Sequence, residues 1–316
     1  MPLLSRHAAP MALAVDREAE SGPLPGLVPG ARWPGGKSSR SRTEILRVCA
    51  NPQCGTGWFR LWRPRETPVI EGGWCCSEAC TEAQMRAAVS RELQGKGAAA
   101  ESHRHRVPLG LTMLEAGWIT QADLRAALAA QRTAGTGRLG YWLVRQRSAS
   151  EEQVTRALGL QWNCPVLAAE FPRPEDLAAL VPRLFVDSFG ALPLRVAADK
   201  ILYLGFEERP DPSLALAVER ITGLRVESGL VEESCFRPAH ERMLAGRFPQ
   251  ADLVEAERES NLTATLAQAV ERVRPQETRM ARVHDCLWVR MWLRLQRGPV
   301  PEPGTVLDLI ASLSIQ

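Results

Sequence analysis

Leu109-Gly110-Leu111-Thr112-Met113-Leu114-Glu115-Ala116-Gly117-Trp118-Ile119-Thr120, followed by Leu124, Leu128 and Gln131, is one half of a repeat. Its counterpart is Leu139-Gly140-Tyr141-Trp142-Leu143-Val144-Arg145-Gln146-Arg147-Ser148-Ala149-Ser150, followed by Val154, Leu158 and Gln161. Every matched pair is thirty positions apart, so the copies align without a gap. A period of this length marks one supersecondary unit used twice. Thr120 with Asp123, and Ser150 with Gln153, have the spacing of reciprocal helix N-caps. Leu124, Ala127 and Leu128, and then Val154, Ala157 and Leu158, follow at helical spacing. Each copy therefore reads as two short helices joined at a tight corner. Gly117 suits a left-handed residue at the end of the first helix. Arg147 stands there in the second copy, so that corner is expected to be built differently or more loosely. The Leu-Gly pair heading each copy fits either close helix packing or close approach of a ligand to the backbone.

These residues resemble the N-terminal domain of the assembly ATPases of type II secretion and type IV pili. The likeness runs from about Pro108 to Phe248, roughly 140 of the 316 residues. Its helical half resembles the MshEN module, which binds cyclic di-GMP in part of that family. The family pattern is Arg-Leu-Gly, two apolar pairs around a glycine, two spaced leucines and a terminal Gln, used twice. Arg138-Leu139-Gly140 through Gln161 departs from it at Arg147 and Ser148, and the first copy has Pro108 in the arginine position. Val181-Pro182, Leu192-Pro193-Leu194, Lys200 to Phe206, Leu214 to Thr222 and Gly223 to Val226 continue in the family's order. The resemblance implies a cyclic di-GMP site built from Leu109, Gly110, Met113, Leu114, Gln131, Arg138, Leu139, Gly140, Leu143, Val144 and Gln161. In it, Arg138 would meet phosphate or a guanine edge. The leucines, Met113 and Val144 would lie under the bases, and the glutamine amides would donate hydrogen bonds. It also implies a secretion or pilus platform protein as partner.

The family's motor domain is not expected here, because 68 residues follow Phe248. One stretch matches a phosphate-binding loop formally: Ala31-Arg32-Trp33-Pro34-Gly35-Gly36-Lys37-Ser38. Such a loop leaves a buried strand, whereas this one follows Pro23, Pro25 and Pro29, which a central strand excludes. No nucleophile, base and orienter can be assembled either. His284-Asp285 would point apart if helical. The expectation is a protein that is not an enzyme.

Five of the eight cysteines fall between positions 49 and 80. Cys49-Ala50-Asn51-Pro52-Gln53-Cys54 is a knuckle, and Trp74-Cys75-Cys76-Ser77-Glu78-Ala79-Cys80 runs into a helical stretch. Cys76 and Cys80, one turn apart, share a helix face. With a short hairpin through Trp58–Trp62 this looks like a treble-clef finger holding structural zinc on Cys49, Cys54, Cys76 and Cys80. Cys75 is the spare or exchanges with Cys76, and the other reading is a reduced cysteine cluster. Phe59-Arg60-Leu61-Trp62-Arg63-Pro64-Arg65 suits phosphate contact and base stacking, or equally a small domain covering its metal core with aromatics.

Hydrophobic residues at 45% and charged ones at 24% are ordinary globular values. A net charge of +3 implies neither nucleic acid nor membrane as partner. No apolar run reaches a membrane span, the start does not read as a secretory signal, and the cytoplasm is the expected compartment. The fold class expected is α+β in four parts: residues 1–44 disordered, a finger over 45–94, the repeat with a small α/β unit over 106–248, and a helical tail over 249–316. In the tail, Val283, Leu287, Met291 and Leu295 recur every fourth residue over Glu277–Gln296, an apolar stripe suited to homo-oligomer contact. Two functions follow: a sensor or adaptor freed of its motor, or a zinc-finger regulator that binds nucleic acid and uses the central module as a protein scaffold.

Overall fold

Residues 48–55, 67–95, 106–168, 173–296 and 298–313 are described by the computed structural model, and from Arg47 onward the chain forms one unit. The segments expected to be disordered (1–44), the phosphate-loop match and the Trp58–Trp62 hairpin lie outside the described residues. Strands β1 (Val69–Ile70) and β2 (Gly73–Trp74) make an antiparallel hairpin. Its turn, Glu71-Gly72, carries φ of 49° and 79°. Helix α1 (Glu78–Gln94) follows, and the Ser77 side chain accepts from the Cys80 amide at its start.

The repeat forms four helices: α2 (Leu109–Glu115), α3 (Gln121–Ala134), α4 (Leu139–Arg145) and α5 (Glu151–Trp162). Both expected capping boxes are present, Thr120 with Asp123 and Ser150 with Gln153. Packing is reciprocal, with α2 against α5 and α3 against α4. The buried core repeats the offset as well, pairing Met113 with Leu143, Ile119 with Ala149, and Ala127 with Ala157. A Cβ on Gly110 would stand 2.6 Å from Leu124 Cδ1, and one on Gly140 would stand 2.7 Å from Val154 Cγ1. At both positions the missing side chain makes room for an apolar side chain of the helix that follows, so each glycine serves the packing within its own copy.

The Arg147 corner corrects the expectation. Its φ is 60° against 69° at Gly117. The amides of Arg147 and Ser148 donate to the carbonyls of Val144 (2.9 Å) and Leu143 (3.0 Å). Gly117 and Trp118 make the same bonds to Leu114 and Met113, each at 3.0 Å. The second corner copies the first and holds a side chain in the left-handed region.

Next come a 3-10 turn (Pro174–Leu177), α6 (Arg183–Phe189), β3 (Ala191–Ala197), β4 (Ile201–Phe206), α7 (Pro212–Thr222), β5 (Arg225–Leu230) and α8 (Glu233–Leu244). The sheet order is β3-β4-β5, with β4 and β5 parallel. Val166 joins this sheet only through an isolated parallel bridge to Leu230.

The helical tail is overturned. Residues 250–313 form β6 (Gln250–Ala256), α9 (Glu259–Val273), β7 (Glu277–Val283), β8 (Cys286–Trp292) and β9 (Val306–Leu313), in a sheet of order β6-β9-β8-β7. His284-Asp285, with φ of 50° at His284, is the turn joining β7 to β8. The misreading has a physical cause. Leu287, Val289 and Met291 pack with α1 and α9 on one face, while Trp288 packs on the α/β unit on the other. A strand buried on both faces loses its alternation, and a short apolar run then imitates a helix stripe. The proposed oligomer contact through that helix falls with it, since Val283, Leu287 and Met291 are buried inside the chain.

The finger is built into this sheet. The Val69 and Glu71 amides donate to the carbonyls of Pro275 (3.2 Å) and Thr278 (2.8 Å). Thr81 bonds to Glu271, and the Arg282 amide donates to Glu92 at 3.2 Å. Ile70, Trp74, Met85 and Val89 share one core with Leu262, Leu266, Val270 and Met280. Among the described residues no helix is long and apolar enough to cross a membrane.

Candidate ligand cleft and metal centre

The N-terminal turn of α4 faces the loop after β4 and the start of α8 across a cleft of about 1070 Å³. Its walls include Leu109, Arg138, Leu139, Gly140, Tyr141, Val144, Leu158 and Gln161 from the repeat. Glu207, Glu208, Arg209, Glu233 and Arg237 form the opposite wall. The volume suits a ligand of nucleotide size.

Six of the eleven expected contact residues are thus brought to one cleft: Leu109, Arg138, Leu139, Gly140, Val144 and Gln161. The rest serve the repeat itself. Met113 and Leu143 are fully buried in its core and offer no surface to a base. Leu114 packs against that core, and Gly110 is covered by Leu124. The glutamines act as clasps between copies. Gln131 Nε2 donates to the Gly137 carbonyl at 2.8 Å, and Gln161 Nε2 donates to the Val107 carbonyl at 2.9 Å. Positions 107 and 137 are themselves thirty apart, so each copy holds the entry to the other.

Arg138 occupies the N-cap position of α4, makes no capping bond and pairs with Glu208. Pro108 stands at the same place before α2 and has no group to offer a phosphate. The cleft's three arginines (138, 209, 237) face four glutamates (151, 207, 208, 233), a net charge of −1. Arg237 is held by Glu207 (3.1 Å) and Glu233 (2.6 Å). Arg209 and Arg106 both lie over the Trp162 ring, at 5.1 and 3.1 Å from its centroid. Sequence reasoning missed Trp162 and the Glu207-Glu208-Arg209 wall. Nothing local marks them, because the β4–α7 loop meets the repeat only through the tertiary fold.

The second candidate site lies at the finger. The Sγ atoms of Cys49, Cys54, Cys76 and Cys80 all fall within 4.8 Å of one another. Cys54 and Cys76 are 3.4 Å apart, and Cys76 and Cys80 are 3.7 Å apart. Four thiolates about 2.3 Å from one tetrahedral ion would be separated by about 3.8 Å, so the cluster fits a four-coordinate metal. Asn51 Nδ2 donates to Cys80 Sγ at 3.4 Å. Burial pushes the Cys49 thiol up to about 12, a barrier to ionisation that a bound cation reverses. Cys76 belongs to this set, while the neighbouring Cys75 is buried in the core shared with α9.

The His284–Asp211 contact, 2.7 Å from Nε2 to Oδ2, is a joint between β7–β8 and α7. Asp211 also caps α7 by accepting from the Leu214 amide, and Ser213 Oγ accepts from the backbone amide of His284. The hydroxyl therefore faces the main chain of His284.

No family profile matches the chain, and no curated protein matches it. Among solved structures the chain is similar to MshE with cdg, at 24% identity over 44% of this chain and 99% of that one, with a TM-score of 0.35. It is also similar to the N-terminal domain of XpsE, at 22% identity over 42% of this chain and 92% of that one, with a TM-score of 0.31. At these TM-scores the likenesses decide nothing about function.

Proposed function

We propose that this protein is a non-catalytic sensor or adaptor whose tandem repeat takes a cyclic dinucleotide, cyclic di-GMP by its chemistry, in the Arg138 cleft. One observation carries the reading: the copy that retains Arg-Leu-Gly is the copy whose first helix opens on the large cleft. Arg138 there offers a planar guanidinium fork suited to phosphate or to a guanine edge. Tyr141 and Val144, both partly exposed beside it, offer apolar surface. The ligand has to displace Glu208 from Arg138 and enters a cleft of net negative charge, so binding is weak. Occupancy is read by a secretion or pilus platform protein, and zinc in the cysteine cluster anchors the finger to the C-terminal sheet.

The test is calorimetric titration of the whole protein with cyclic di-GMP at fixed salt. Weak binding that Arg138→Ala removes is the expected result. No heat at any attainable concentration, or binding that Arg138→Ala leaves unchanged, defeats the reading.

A further inference from the structure

We infer that Arg106 and Arg209, gathered on the ring of Trp162, form a phosphate-binding site where the cleft meets the entry to the repeat. Trp162 is the last residue of α5 and lines the large cleft; with Arg106 it also lines a neighbouring cavity of about 590 Å³. The two guanidinium carbons stand 3.1 and 5.1 Å from its ring centroid. They come from distant parts of the chain, Arg106 before α2 and Arg209 from the loop between β4 and α7. One arginine on a tryptophan is an ordinary surface contact. A second beside it adds repulsion, and desolvation together with the Arg209 charge holds the Arg106 guanidinium below its ordinary range. Among the described residues neither arginine makes an ion pair, and Arg106 Nε is buried without a hydrogen-bond partner. The glutamates of the cleft are engaged elsewhere: Glu208 with Arg138, Glu207 and Glu233 with Arg237, and Glu151 with the Ser234 amide. The carbonyl end of α5 offers about half a negative charge, too little for two guanidiniums.

The repeat does not call for this cluster. Thirty positions on, Arg106 corresponds to Thr136, and thirty back, Trp162 corresponds to Arg132, so the internal symmetry of the copies builds neither. The bond from Gln161 to the Val107 carbonyl, at 2.9 Å, fixes the chain beside Arg106 and beside Trp162 at once. The site is therefore organised before any ligand arrives. Stacking uses the flat face of a guanidinium and leaves its in-plane N–H groups free to donate. A tetrahedral phosphate accepts from two such forks together, and its charge removes the repulsion between them. The phosphate is either the free anion or a group carried by a larger ligand of the cleft. A cyclic dinucleotide held by Arg138 through one phosphate would bring its other here, and that assignment alone rests on the function proposed above.

NMR of the arginine Nε–H groups in the nitrogen-labelled whole protein tests this, with signals assigned from Arg106→Gln and Arg209→Gln. Inorganic phosphate should shift both signals saturably, sodium chloride at matched ionic strength should not, and Arg138→Ala should leave the phosphate shifts unchanged. Arg209→Gln, at an exposed position, should raise the dissociation constant for phosphate about tenfold, with the thermal midpoint confirming a folded chain. Cyclic di-GMP should move the same two signals, and calorimetry should find it bound about tenfold more weakly by Arg209→Gln. Phosphate shifts without any response to cyclic di-GMP would assign the site to the free anion and sink only the function proposed above. Signals that ignore phosphate, signals that follow chloride equally, or a phosphate dissociation constant untouched by Arg209→Gln would each overturn the site.

Discussion

Replacing Asp308 by alanine should be among the most damaging single changes in this chain. Asp308 and Arg290 are both fully buried in the C-terminal sheet. The carboxylate accepts from Arg290 Nε and Nη2, each at 2.8 Å, and from Trp288 Nε1 at 2.7 Å. Arg290 Nη1 donates to the Leu180 carbonyl at 2.9 Å, tying the sheet to the α/β unit that forms one wall of the cleft. Alanine would leave a buried guanidinium whose remaining partners among the described residues are the Leu180 carbonyl and the face of the Trp288 ring. Breaking a buried pair from one side costs about 3–5 kcal/mol, against about 5–15 kcal/mol for a whole domain.

The double variant Arg290→Met with Asp308→Leu separates charge from packing. It removes both ions and leaves only Trp288 Nε1 and the Leu180 carbonyl unsatisfied, at about 1–3 kcal/mol each. It should therefore be less destabilising than the sum of Asp308→Ala and Arg290→Ala, by about 2 kcal/mol or more. Urea unfolding followed by tryptophan fluorescence and by circular dichroism reads both numbers. An Asp308→Ala loss below about 1 kcal/mol, or strict additivity of the two sites, would refute the reasoning.

Arg147→Gly should stabilise the repeat by about 0.5–1 kcal/mol, because relief of left-handed strain exceeds the added chain entropy of glycine; slower amide exchange at Ser148 and in the core of α4 and α5 would show it. Chelation of a metal bound at Cys49, Cys54, Cys76 and Cys80 should raise amide exchange in α1 and also in α9 and β7, because the three share one core; loss confined to residues 48–95 would contradict that. Glu208→Gln should tighten cyclic di-GMP binding by releasing Arg138, measured by the same titration as Arg138→Ala, and weaker binding would mean that Glu208 itself holds the ligand.

The repeat was legible because its information is local and stated twice. Caps and apolar core recur at an offset of thirty, so those readings had an internal check, whereas the intact Arg147 corner and the clasping glutamines went unread although they recur at the same offset. The cysteine cluster was legible because the knuckle brings Cys49 near Cys54 and the helix turn brings Cys76 near Cys80, so two locally formed pairs had only to meet. The C-terminal sheet was hidden for the opposite reason. Its middle strand is covered on both faces by segments far away in the chain, from α1 to α7, and no window of β8 contains them. The cleft's acidic wall was hidden likewise, since Glu207 and Glu208 acquire meaning only when β4 has been placed beside the repeat.

Both copies depart from the family pattern, the first at Pro108 and the second at Arg147 and Ser148, and the departures are unequal. Arg147 keeps the corner: its φ and both of its turn hydrogen bonds match those of Gly117, so the change costs backbone strain and leaves the position of α4 intact. Pro108 keeps the fold of its copy as well, with α2 starting where α4 does, yet it removes a guanidinium that no backbone adjustment replaces. A lost charge-assisted hydrogen bond is worth about 1.5–3 kcal/mol, one to two decades of affinity. The backbone of both copies therefore survives, while only one keeps a guanidinium at the head of its first helix. That one is presently answered by Glu208. On the proposed function, affinity in this cleft would be set by the contest between Glu208 and the ligand for Arg138, and far less by the corner that departs most visibly from the pattern.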